Sequence, residues 1–174
     1  MFENVNLNQV FQYLLVSLAF LAPLTVFGAN VVIVVITLLW LLSSNYKSKF
    51  KQIFDSKLMI ASVVFFGLHI IGLAWTSNIA WGLHIIHKMW YFILFFPILF
   101  NLVEKKYIKH YISAFLLAIL LTEVLSYLIF FNVIPAFNNA TVYDPTPFMN
   151  HISYNPILAF AIYLVCHQIF LNRD

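Results

Sequence analysis

The sequence predicts an all-α fold, a polytopic transmembrane helical bundle of about six helices, on two features of composition and one of charge placement. Apolar residues make up 63% of the 174-residue chain and charged residues 9%, against a soluble norm of roughly 45–50% and 25%. Several runs of 16 or more residues carry no charge, the mark of helices that cross a bilayer. Eight of the nine basic residues fall in three short segments. Clustering of that kind reads as membrane topology, so the net charge of +3 points to the bilayer and to no nucleic acid. The lone Cys166 sits in an apolar run and offers no disulfide framework.

The N-terminus, MFENVNLNQVF, lacks the basic region of a cleaved signal peptide, so the first apolar run is expected to stay as a helix. Residues 10–43 form one apolar stretch of 34 residues. A single helix of that length would measure about 51 Å, well beyond a hydrocarbon core of about 30 Å. Pro23, Gly28 and Asn30 lie mid-stretch, where a hairpin needs them. Helices are therefore expected near 9–27 and 29–44. Residues 45–57 carry Lys47, Lys49, Lys51 and Lys57 and read as a cytoplasmic loop. A third helix, about 58–75, ends at Trp75, and residues 76–80 turn on the far side.

The fourth helix, about 81–103, contains Pro97, expected as a kink that membrane helices tolerate. Glu104, Lys105, Lys106 and Lys109 return the chain to the basic side, and a fifth helix covers about 111–131. A polar external loop, 132–155, holds Pro135, Pro145 and Pro147. The sixth helix, about 156–171, is expected to start with Asn155 as N-cap and Pro156 at its first position, and it ends beside Arg173. Six helices put all three basic clusters on one side. The chain reads as one transmembrane domain, 1–174.

Ionisable groups inside these spans are costly and usually functional. On helix four, Trp81, His84, Lys88 and Tyr91 recur at helical spacing, with His87 beside them. Counting about 1.5 Å per residue puts Lys88, Glu123 of helix five and His69 of helix three at similar depth in the outer leaflet. One reading is a self-neutralising pair of Lys88 and Glu123 that ties two helices together. The other is a basic, histidine-lined pocket open to the outer face. His84 and His87 lack an Asp, Glu or Cys close in sequence, so no metal is expected there. Above helix six, Asn150, His151, Ser153 and Tyr154 form a donor-rich cluster that suits either helix capping or contact with a polar headgroup.

Taken together, GLAWTSNIAWGLHIIHKMWYFILFFPILF, a basic turn, and PFMNHISYNPILAFAIYL resemble the bacterial O-antigen ligase family and its polymerase relatives. The 75–78 turn and the 150–152 segment carry most of that resemblance. It implies the N-terminal half of a GT-C-type membrane glycosyltransferase in the bacterial inner membrane, with the N-terminus and Lys-rich loops cytoplasmic. Such proteins move glycan from undecaprenyl diphosphate to an acceptor such as lipid A-core, with no metal or nucleotide cofactor. The family's functional arginines lie in a later half, and the only arginine here, Arg173, is expected on the cytoplasmic side. The chain is therefore expected to be an N-terminal half: a fragment, a truncated gene product, or one piece of a split protein whose C-terminal half is supplied separately. Substrate-binding candidates are Lys88, His84, His87, Glu123, Asn150, His151 and Tyr154; catalytic residues remain unassigned. The alternatives are a small transporter or channel using an intramembrane His/Lys/Glu layer, and an inactive membrane remnant. Against a transporter stands the lack of a repeat between the two halves.

Overall fold

The computed structural model describes residues 7–43, 46–138 and 140–171. Arg173 and Asn139 of the sequon-like Asn139-Ala140-Thr141 lie outside them. The regular elements among the described residues are all helices: α1 (Leu7–Leu21), α2 (Val26–Leu42), α3 (Tyr46–Phe54), α4 (Lys57–Gly72), α5 (Ile79–Lys88), α6 (Phe95–Leu102), α7 (Ile108–Phe130) and α8 (His151–Leu171). Three short 3-10 turns, at Leu73–Trp75, Trp90–Phe92 and Lys105–Tyr107, join some of them. Three segments are long and apolar enough to cross a membrane: Lys57–Trp75, Lys105–Phe130 and His151–Phe170. Counting two bent pairs as single spans raises the number to 5. The six-span expectation falls short at α1, whose 15 residues reach only about 22 Å, because the chain turns at Pro23 and not at Gly28.

Two compact units divide the chain, one holding residues up to Ile33 and from Glu104 onward, the other Val34–Val103. In the first, α1 packs along α7. Their first turns share one end, joined through Glu104: Asn8 and Gln12 donate to its carboxylate, and Lys106 pairs with it at 3.0 Å. Tyr111 donates to the buried Gln12. Lys106 followed by Asn8 holds the Glu104 carboxyl below the usual range. α7 then runs the full depth of the unit. It stops in a Schellman motif, where the Val133 N–H donates to Leu128 O and the Asn132 N–H to Ile129 O, both at 2.9 Å. Asn132 takes the required left-handed conformation, φ 55°. α8 packs back on α7 around Ile119, Tyr154 and Ala161. In a bilayer such pairing rests on close packing, which small residues such as Ala161 and Ala118 permit.

The second unit corrects two expectations. Residues 45–57 are not a loop, since α3 fills most of them. Tyr46, Phe50 and Ile53 recur at i, i+4 and i+7, which gives an apolar face between the lysines. α3 folds onto the last turn of α2: Lys49 Nζ donates to Trp40 O at 3.1 Å and to Ser43 O at 3.0 Å. The ammonium also lies 4.7 Å over the Trp40 ring, so it caps the orphan carbonyls of a helix end. The expected helix 81–103 is likewise two helices, α5 and α6, bent by 43°. The break falls at residues 89–94, upstream of Pro97. Pro97 instead occupies the first turn of α6, where its missing N–H leaves no bond unmade. α4 satisfies part of the broken backbone, since Ser62 Oγ donates to Phe92 O at 3.0 Å.

The polar cleft at the paired ends of α7 and α8

Helix α8 begins five residues before the expected Pro156. Asn150 is its N-cap: Asn150 Oδ1 accepts from the Ser153 N–H at 2.9 Å, and Asn150 O from the Tyr154 N–H at 3.0 Å. Asn155 and Pro156 consequently lie inside the helix. That shift turns Tyr154 inward, where it is only 2% exposed. Its hydroxyl lies beside the Glu123 carboxylate and Thr122, without a hydrogen bond of normal geometry. Ser126, one turn further along α7, also buries an unpartnered hydroxyl. Thr122 does not share this state, because its hydroxyl donates to Ala118 O at 3.0 Å.

Between them opens a cavity of about 270 Å³ lined by Glu123, Ser126, Thr146, Tyr154 and Asn155 among others. The loop before α8 closes its rim. Thr146 Oγ1 donates to Asp144 Oδ1 at 2.7 Å, and Asp144 Oδ2 meets His151 Nδ1 at 2.9 Å. His151 followed by Thr146 holds the Asp144 carboxyl below the usual range. Asp144 fixes the ring of the exposed His151 by one nitrogen and leaves Nε2 as its remaining polar atom. Four of the sequence-predicted residues thus gather in one place: Glu123 and Tyr154 in the cavity, His151 at its rim and Asn150 as the cap beneath it.

The other candidates do not join them. His84, His87 and Lys88 belong to α5 in the second unit, and all three are exposed. His84 packs its ring against Trp81 at 5.4 Å. Lys88 is the last residue of α5, where a cation complements the helix dipole. Tyr91 leaves the expected face, since α5 ends before it, and stacks on Trp90 at 4.1 Å. His69 spends its Nδ1 on its own helix, 2.9 Å from Phe65 O, which weakens the His/Lys/Glu layer as a relay. Among the described residues no three His, Cys, Asp or Glu side chains gather as a metal ion would need.

Sequence reasoning missed Asp144, Ser126 and Thr146. The signal for the first was present in Asp144-Pro145-Thr146-Pro147, a turn-forming run of an acid and a hydroxyl before the donor-rich cluster. Ser126 carries a weaker one: it sits at i+3 from Glu123, on the same face of α7. Comparison with protein-family models, curated proteins and solved structures finds no match to this chain.

Proposed function

We propose that the chain is the N-terminal, lipid-handling portion of an O-antigen ligase-like or polymerase-like membrane glycosyltransferase. One observation carries the reading: a mostly apolar cleft into which Glu123, Ser126, Thr146, Tyr154 and Asn155 bring polar groups, at the end of α7 opposite its basic turn. By the positive-inside rule the basic turn is cytoplasmic, so the cleft opens to the periplasm of a bacterial inner membrane. An undecaprenyl-diphosphate-linked glycan is the donor, and lipid A-core or another glycan is the acceptor. Asp144 and His151 orient what enters the cleft.

Deletion of the gene in its own bacterium tests this. The account expects surface polysaccharide to be lost while carrier-linked glycan accumulates; unchanged surface glycan removes it. A transport reading rests on Glu123 beside the buried Tyr154 hydroxyl, a protonatable group inside a span. It would be favoured if Glu123→Gln abolished pH-driven uptake of a solute while polysaccharide attachment stayed intact.

A further inference from the structure

The polar cavity does not stand alone. A second space, of about 390 Å³ and almost wholly apolar, runs along the same pair of helices between Leu116, Leu120, Ile162 and Val165. The two spaces share Glu123 and Leu158 as wall residues. Side by side they offer polar groups toward the loop and an apolar groove deeper along the helices. That division matches an amphiphile with its head at the loop end and a chain along the groove.

The chemistry of the head follows from the lining. Among the described residues no Lys, Arg or His lines either compartment, and the one acidic group in the walls is the carboxylate of Glu123. His151, the imidazole at the rim, is held at Nδ1 by Asp144. A phosphate would meet a carboxylate there with no cation to offset it, an arrangement that costs free energy in a low-dielectric site. What the walls do offer is hydrogen bonding to neutral hydroxyls. Tyr154 and Ser126 bury hydroxyls without a hydrogen bond of normal geometry, at 2% and 8% exposure, and a buried hydroxyl left so is unfavourable. Glu123 accepts from hydroxyl donors, and Thr146 and Asn155 add both donors and acceptors.

We infer that the cleft and groove of α7 and α8 bind a glycolipid with a neutral, phosphate-free sugar head, the sugar hydroxyls satisfying Tyr154, Ser126 and Glu123 and one lipid chain filling the groove. This binding does not depend on the transferase reading, which concerns a diphosphate-bearing donor.

Photolabelling of the full chain in phosphatidylcholine nanodiscs tests it. Two probes carry the same diazirine-bearing acyl chain, one as glucosyl diacylglycerol and one as phosphatidylglycerol. The glucosyl probe should label peptides around Leu120 and Ile162 at least five-fold more than the phosphatidylglycerol probe. Both should label the exposed face of α4 equally. Tyr154→Phe and Ser126→Ala, each removing one hydroxyl with little change of shape, should lower the preference without altering the α4 labelling. Equal labelling of the groove by the two probes overturns the inference, as does a preference that survives both substitutions. Cross-links between copies of the chain at Leu120 or Ile162, in place of lipid labelling, would show the groove to be a self-association face and overturn it too. A positive result with no loss of surface polysaccharide on gene deletion would retain the site and discard the transferase.

Discussion

Asp144 governs the rim of the cleft. Its carboxyl is held below the usual range first by His151 and then by Thr146. A carboxyl with a depressed folded value stabilises the folded state above the ordinary aspartate range. That stabilisation disappears as pH falls through the depressed value. The loop before α8 should therefore become more accessible to protease in acid, and Asp144→Asn should show the accessible loop already at neutral pH, with no further acid step. Limited proteolysis across pH reads both. Lys49 is the corresponding residue in the second unit. Lys49→Met keeps the stem over Trp40 but removes the cap on the α2 carbonyls, and it should cost about 1–2 kcal/mol locally. Amide exchange should accelerate in the last turn of α2 and stay unchanged in α4. Neither residue stood out in the sequence. Asp144 pairs across seven residues of loop, where no periodicity points to a partner, and Lys49 looked like one more charge in a basic run.

At the level of elements, the break at residues 89–94 is the irregular piece most exposed to perturbation. Backbone that leaves helical geometry inside a membrane persists only where its polar groups find partners. Ser62→Ala takes the donor from Phe92 O, and the loss should be about 1–2 kcal/mol. Unfolding of the detergent-solubilised protein by denaturing detergent measures it, and Ser62→Thr should restore most of the difference. Apolar spans α4, α7 and α8 were legible because a bilayer core demands long uncharged runs, and nothing else in a chain looks like them. The break was misplaced because proline was taken as the sole kinking residue, although a proline in the first turn of α6 disturbs nothing. α8 shows the converse error. Pro156 imitated a helix start, while Asn150, with Ser153 three residues on, supplied the actual cap. Pro156 inside the helix removes one N–H donor, so Pro156→Ala should slow amide exchange through the first two turns of α8.

Across the whole molecule, long uncharged runs and an apolar composition pointed to the membrane class, and the described helices include segments apolar enough to span a bilayer. The candidate site was half legible. Glu123, Tyr154, His151 and Asn150 stood out as polar groups in or beside apolar runs. Their convergence depends on the antiparallel return of α8 along α7 and on a helix start that the sequence signals misplaced. Lys88, His84 and His87 drew attention for the same reason, yet they lie on the exposed surface of a different unit.

The transferase reading of the cleft depends on the side of the membrane it faces, and cysteine accessibility tests that directly. In a Cys166→Ser background, Tyr143→Cys places a thiol on the loop, at a position 99% exposed, and Lys105→Cys places one at the opposite end of α7, about 35 Å away. A membrane-impermeant maleimide added to right-side-out vesicles should label Tyr143→Cys and leave Lys105→Cys unlabelled until the vesicles are opened. Labelling of Lys105→Cys alone, or of both positions before opening, would contradict the account.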